Sequence, residues 1–305
     1  IPPPDRELLG GGLFSTIITS RGCVYKCIFC TTPNMWGNRM RFHSAEYVVN
    51  EIENLIKKYH PDLIYIQDDL FTVNLQRVRK IVSLLKEKGL NRKAYYSFLG
   101  RSNNITEEFL DIVKDLKIDS VNIGFETANQ EILTQTKAAG HTEGFHHITV
   151  EDHIKAIKLL NQYKIKFYGY FIIGFPNDTR ETIMDTYNFI KKYNLRGITF
   201  KATPFPGTPL WEYAVENRLV KNDGFSYSQL QHGMKLVDEN EICLSKYLTL
   251  KELNELYAKF KELEKKVARK HIVTDFLYDT KFAFNYYFNR LLKLKIFYDK
   301  KKKIL

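Results

Sequence analysis

Strand and helix signals alternate about six times between residues 14 and 202 of this chain. No other feature constrains the fold as tightly. Consecutive parallel strands need long crossovers, helices supply them, and the crossovers run right-handed. Residues 14–20 (FSTIITS) are short, apolar and β-branched, which predicts a buried strand. Ser44 caps a predicted helix that runs to Tyr59, with Val48, Val49, Ile52, Leu55 and Ile56 at helical spacing and Pro61 as its break. Further strands are predicted at 62–67, 93–98, 120–126, 166–175 and 197–202. Helices are predicted over 75–88, from Thr106, and from Thr149 with Asp152 in the capping pattern; another runs to Tyr193 from a capping box of Asp178 and Glu181. The fold class is therefore α/β: six strand–helix units forming an open, three-quarter version of the eight-fold barrel. In such barrels the chemistry sits at the C-terminal ends of the strands.

The chain has 305 residues, of which 44% are hydrophobic and 14% aromatic; that suits a large core and excludes disorder over most of the length. It contains no run of 18 apolar residues, which excludes a membrane-spanning helix, and no secretory leader pattern. It opens on Ile1 and its first methionine is Met35, so a fragment is the expectation, with two accounts open: an upstream domain that this stretch lacks, or a family member that has lost it. The net charge of +11 gathers in the tail, where 16 Lys/Arg stand against 7 Asp/Glu between Lys246 and Leu305. A basic tail can meet nucleic acid or an acidic partner, but this one carries no nucleic-acid-binding motif. A solvated, lysine-rich helix face is the preferred reading, and nucleic acid is disfavoured as a partner.

Four cysteines are present, and Cys23, Cys27 and Cys30 fall within eight residues as GCVYKCIFC. A large chain with few cysteines and no leader does not read as a disulfide framework. Tetrahedral zinc wants a second pair of ligands at matching spacing, which the sequence does not supply. Three thiolates on one loop can hold three irons of a [4Fe–4S] cube and leave the fourth open, where closed cubes take four thiolates. Cys243 stands alone and reads as a buried, inert thiol.

Cys23-x3-Cys27-x-Phe29-Cys30 resembles the signature of the radical S-adenosylmethionine (SAM) superfamily. The resemblance implies a partial TIM barrel of (βα)6 type with a C-terminal helical extension. It also implies a [4Fe–4S] cluster on Cys23, Cys27 and Cys30, whose open iron chelates the amino and carboxylate groups of SAM. One electron then cleaves SAM to methionine and a 5′-deoxyadenosyl radical, and Phe29 would lie against the adenine. The implied domain plan is a linker at 1–13, a barrel at 14–215 and a C-terminal loop and helical extension at 216–305.

Further motifs fall at strand ends. QDDLFTVN places Gln67, Asp68 and Asp69 where the family contacts the SAM amino group, with helix capping as the competing reading. Arg101 in LGRSNN sits where relatives grip the SAM carboxylate, a bidentate task suited to guanidinium; a surface salt bridge is the alternative. GFETANQEIL is similar to the family's Gly-x-Glu-Ser turn, which implies that Glu126 bonds the ribose hydroxyls or SAM amine, with Thr127 in place of the usual Ser or acting as a helix cap. FIIGFPNDTRE is similar to the adenine-contacting motif, with Ile172 and Gly174 at the matching positions and Asn177 replacing the usual Glu. PGTPL, with a turn at Pro206 and Gly207, resembles the segment closing the adenine side. Trp36, Arg39 and Arg41 follow the cysteine loop and are candidates for the substrate side. Tyr95, Tyr96, Tyr168 and Tyr170 alternate on the third and fifth strands, one face of each of which is expected to point into the barrel, where a tyrosine can contact substrate or relay a hydrogen atom; His141, His146 and His147 read as plain loop histidines.

The opening IPPPDRELL, the DDLFTVN stretch and the WG-x-R-x-R-F pattern resemble the cobalamin-dependent subgroup, in which a cobalamin domain precedes the barrel. That implies hydrogen abstraction and methyl transfer to carbon. Cobalamin-independent oxidation or rearrangement, methylthiolation, and a non-catalytic iron–sulfur protein stay open as alternatives. The implied partners are a small-molecule or peptide substrate and a one-electron reductant such as flavodoxin or ferredoxin. An oxygen-sensitive cluster implies a cytoplasmic location.

Overall fold

Helices make the crossovers, and the strands they join are parallel. The computed structural model describes residues 14–137, 147–220 and 242–278. The chain enters through β1 (Phe14–Ile17), then β2 (Ser20–Arg21), α1 (Thr32–Trp36) and β3 (Arg41–Phe42), which pairs antiparallel with β2. The repeating units follow as α2 (Ala45–Tyr59) and β4 (Leu63–Ile66), α3 (Leu75–Glu87) and β5 (Tyr95–Gly100), α4 (Glu107–Val113) and β6 (Ile118–Glu126). Next come α5 (Gln130–Thr136), α6 (Val150–Gln162) and β7 (Phe167–Ile173), then α7 (Arg180–Tyr193) and β8 (Gly197–Lys201). α8 (Pro209–Glu216) and α9 (Leu250–Tyr278) complete the described elements. The main sheet runs in the order β1-β4-β5-β6-β7-β8 with every pairing parallel, so it is open, as expected.

Strand side chains alternate between the two faces of the sheet. Ile64, Ile66, Tyr96, Phe98, Val121, Ile123, Phe125, Phe171 and Ile173 are buried in one cluster with Val48, Val49 and Ile52 of α2 and Val78 and Ile81 of α3. Each such side chain contributes roughly 1.5–3 kcal/mol by leaving water. Tyr96 therefore belongs to the helix-facing core, its hydroxyl donating to Leu90 O at 3.0 Å, and not to the barrel interior. On the opposite face Tyr170 donates to Asn122 Oδ1 at 3.2 Å, and Asn122 Nδ2 donates to Ser97 Oγ at 3.1 Å. Tyr95 is half-buried and Tyr168 more exposed.

An open sheet leaves edge strands whose backbone groups need partners. At β8 the long helix α9 supplies them: Thr199 N donates to Glu264 Oε1 at 2.5 Å, and Lys261 Nζ donates to Thr199 O at 2.8 Å. Leu253, Leu256, Tyr257 and Phe260 of the same helix bury against the main core. The helix starts at a capping box, since Thr249 N donates to Glu252 Oε2 at 2.9 Å and Glu252 N donates back to Thr249 Oγ1 at 3.2 Å. The part of the expected helical extension beyond Tyr278 lies outside the described residues, as do His141 and His146; His147 is exposed. Thr149 and Asp152 form the expected capping box.

The capping box expected from Asp178 and Glu181 is not formed. Thr179 caps α7 and pairs with Thr182. Asp178 is drawn one step inward, where Gly174 N and Phe175 N donate to its Oδ2 at 2.8 and 2.9 Å and Thr182 Oγ1 donates to Oδ1 at 2.8 Å. Backbone amides leaving the end of β7 outcompete the helix terminus for this carboxylate.

Candidate functional site

The three clustered cysteines lie on the loop between β2 and α1, beyond the C-terminal end of β1. The loop starts at Gly22 with φ +93°, and a Cβ there would meet Arg39 O at 2.0 Å, so only glycine fits. Two adjacent carboxylates after β4 hold it. Asp68 is fully buried: Oδ1 accepts from Thr19 N at 2.5 Å and Ser20 N at 3.0 Å, and Oδ2 accepts from Thr19 Oγ1 at 2.5 Å and Ser20 Oγ at 2.6 Å. Asp69 bridges the two ends of the loop, Oδ2 accepting from Gly22 N at 2.9 Å and Oδ1 from Thr32 Oγ1 at 3.0 Å. From the far side, Ile28 N donates to Thr136 O of α5 at 3.0 Å, and Leu210 N of α8 donates to Ile28 O at 3.1 Å. The expected Gln67-Asp68-Asp69 group thus divides. Both aspartates clamp the cysteine loop, Asp68 has no exposed surface to offer a ligand, and Gln67 is exposed at the strand end.

The thiols of Cys23, Cys27 and Cys30 are free and near enough to repel one another as thiolates. Burial pushes Cys23 up to about 12, and burial likewise raises Cys27 against the pull of two cations, Arg101 and Lys137. Arg101 is 4% exposed; its Nη1 donates to Cys27 Sγ at 3.4 Å, and its guanidinium carbon lies 3.9 Å from the centre of the Tyr25 ring. Lys137, at the end of α5, pairs with Glu126 Oε1 at 3.2 Å and donates to Gly124 O. Burial lowers the Lys137 pKa, and Glu126 opposes that shift. Glu126 itself sits at φ +67°, in the left-handed region where a non-glycine residue carries strain. The site therefore joins a loop of three thiols to a buried cation–carboxylate group drawn from β5, β6 and α5.

Sequence reasoning did not single out Lys137. It carries no motif, and its role arises because the end of α5 folds back over Gly124 and Glu126. The other expected residues scatter around the site. Thr127 is buried and bonds Thr186 Oγ1 of α7 at 3.1 Å; α5 is capped by Asn129 instead. Phe29 packs against Phe175 with ring centres 5.8 Å apart, in a second apolar cluster that includes Ile172. Gly174 has φ +86°, and a Cβ there would meet Leu253 of α9 at 2.9 Å. Pro206 is exposed, and Gly207 O beside it accepts from Asn34 Nδ2, which ties the turn after β8 to α1. Arg41 Nη1 donates to Trp36 O at 3.2 Å, so this pair stabilises its own turn; Arg39 is exposed. Cys243 is half-buried, its thiol donating to Leu248 O at 3.3 Å, apart from the other three.

Residues 17–190 match the family described as the radical SAM superfamily, which is more than half of the chain. The chain belongs to the radical SAM superfamily. An uncharacterised methyltransferase of Pyrococcus horikoshii is 34% identical over 248 residues, covering 81% of this chain and 52% of that protein. The cytidylyl-2-hydroxyethylphosphonate methyltransferase of Streptomyces wedmorensis is 27% identical, covering 69% of this chain and 39% of its own length. The radical SAM methyltransferase TsrM of Kitasatospora setae superposes with a TM-score of 0.59 at 23% identity, over 71% of this chain and 42% of that one, which supports the fold. The chain thus spans about half, or less, of the length of these relatives.

Radical SAM membership brings a [4Fe–4S] cluster and SAM, and the residues present fit the cluster. Three mutually interacting thiols lie on one clamped loop with Arg101 donating to one sulfur. Among the described residues no group of three His, Cys, Asp or Glu is placed to hold a single metal ion. Among the described residues no helix is long and apolar enough to cross a membrane.

Proposed function

We propose that this chain is the catalytic barrel of a radical SAM methyltransferase that works with cobalamin, in the cytoplasm, and draws its electron from a small carrier such as a flavodoxin or ferredoxin. The observation that carries the radical step is the loop of Cys23, Cys27 and Cys30, fixed by Asp68 and Asp69 at the strand ends and backed by Arg101. When bound, the cluster and SAM supply a one-electron cleavage that yields methionine and a 5′-deoxyadenosyl radical. The chain's part is to position and to exclude water. Cys23, Cys27 and Cys30 would hold the cluster through three of its irons and leave the fourth without a protein ligand. Glu126, held by Lys137 beside this loop, would offer its carboxylate to the amine or ribose of SAM. Phe29, Ile172 and the backbone at Gly174 would supply the apolar side for the adenine, and the turn at Pro206 would close it. Gln67 and Asp69 are exposed just after the C-terminal end of β4. The methyl-transfer reading is supported by the methyltransferase names of two relatives and by TsrM, a structure described with cobalamin bound.

Anaerobic reconstitution with iron and sulfide, followed by SAM and dithionite, tests the radical step. Release of 5′-deoxyadenosine is the expected outcome, and Cys23→Ala, Cys27→Ala and Cys30→Ala should each abolish it. Undiminished release from any of these variants would overturn the cluster assignment. Methyl transfer is tested on the full-length polypeptide with labelled SAM and methylcobalamin: label appearing on cobalamin and then on carbon supports it, and deoxyadenosine without label transfer refutes it.

A further inference from the structure

The resemblance assigns Arg101 to the SAM carboxylate, but its surroundings point elsewhere. The guanidinium is held from three directions: stacked 3.9 Å over the Tyr25 ring centre, with Nη1 on Cys27 Sγ at 3.4 Å and Nη2 on Lys137 O at 3.4 Å. The platform is itself anchored, since Tyr25 is 2% exposed and its hydroxyl donates to Asn104 Oδ1 at 3.3 Å. A rigid, always-protonated fork fixed in this way cannot swing to another partner without losing the stack and both bonds. Hydrogen bonds to ligand sulfurs and nearby charge both favour the more electron-rich state of an iron–sulfur centre, because the added negative charge spreads onto the thiolates.

We propose that Arg101 is a positioning residue for the cluster: by donating to Cys27 Sγ it holds that thiolate in place and raises the midpoint potential of the [4Fe–4S] centre. This rests on the radical SAM reading of the three cysteines. Reduction adds one electron from the external donor and neither forms nor breaks a bond to Arg101. Its function is to ease entry of the electron before SAM arrives, so the effect exists in the SAM-free protein. A role confined to the SAM carboxylate would show as lost SAM affinity, with the SAM-free potential shifted only by the lost charge and therefore unchanged in Arg101→Lys.

The test is an anaerobic potentiometric titration of the reconstituted chain without SAM, followed by electron paramagnetic resonance, with iron and sulfide per chain measured in parallel. In Arg101→Gln the reduction equilibrium should fall at least tenfold, a downward shift of about 59 mV for a one-electron couple. In Arg101→Lys, which keeps the charge but loses the stacked fork, a smaller downward shift is expected. A wild-type potential in a fully loaded R101Q chain overturns the proposal. If R101Q takes up no cluster, R101K decides: a lowered potential supports the proposal, while a wild-type potential, or no cluster in R101K either, overturns it by making Arg101 a folding residue. Failure of the wild-type chain to take up any [4Fe–4S] centre would instead defeat the cysteine reading itself, which is a distinguishable result.

Discussion

Replacing Asp68 by Ala isolates the clamp on the cysteine loop. The carboxylate accepts four bonds from Thr19 and Ser20, at 2.5 to 3.0 Å, in a site with no exposure. The two hydroxyls can rotate to other acceptors, but the two backbone amides cannot. Leaving them unpaired costs about 1–3 kcal/mol each, so D68A should lose about 2–6 kcal/mol of folding stability. Asp68→Asn keeps one oxygen for both amides, and its NH2 can donate to the hydroxyl oxygens, so D68N should lie within about 1 kcal/mol of wild type. Urea unfolding of the cluster-free chain, followed by circular dichroism, reads the difference through its midpoint. Iron bound per chain after reconstitution should fall in D68A and persist in D68N. If D68A unfolds within about 0.5 kcal/mol of wild type, the usual range for an uninvolved surface residue, the clamp is wrong. A role for Asp68 as partner of the SAM ammonium would give the opposite pattern: unchanged stability in D68A and lost SAM affinity in D68N.

Three further outcomes follow from the same geometry. Lys137→Met strands the Glu126 carboxylate in a site where the pair is 5% and 11% exposed, and should cost about 3–5 kcal/mol in urea unfolding, with the double variant Lys137→Met/Glu126→Gln recovering part of the loss; no recovery would count against the pairing. Burial raises Asp178 from its ordinary 3.8 to about 6, so the folded chain binds that proton more tightly than the unfolded chain and its contribution to stability falls as pH rises from 3.8 to 6, by about 3 kcal/mol at most. Asp178→Asn should remove that part of the slope, and identical pH slopes in the two proteins would refute it. Gly174→Ala forces a side chain into φ +86° and against Leu253, so a loss of about 1–3 kcal/mol is expected, and a neutral or stabilising change in urea midpoint would refute the packing of α9 at this turn.

The alternation of strands and helices was legible because both periods are local: β-branched runs and helical spacing are written in consecutive residues. The cysteine loop was legible for the same reason, since Cys23, Cys27 and Cys30 stand within eight positions. Local caps such as Thr149 with Asp152 could be read, whereas Asp178 could not, because the amides of Gly174 and Phe175 compete for it only once β7 ends beside α7. The partners of chemically suggestive residues were the least legible. Asp68 reads as a ligand group until the fold brings Thr19 and Ser20 to it from 49 and 48 residues away. Lys137 shows no signal at all, yet it ends beside Glu126, and Arg101 reaches Cys27 across 74 residues. Residue type and spacing settle what a segment can form and which atoms are available to react. Which atom meets which depends on burial and long-range approach, because an isolated charge in the interior takes whatever donor the packed backbone leaves nearest.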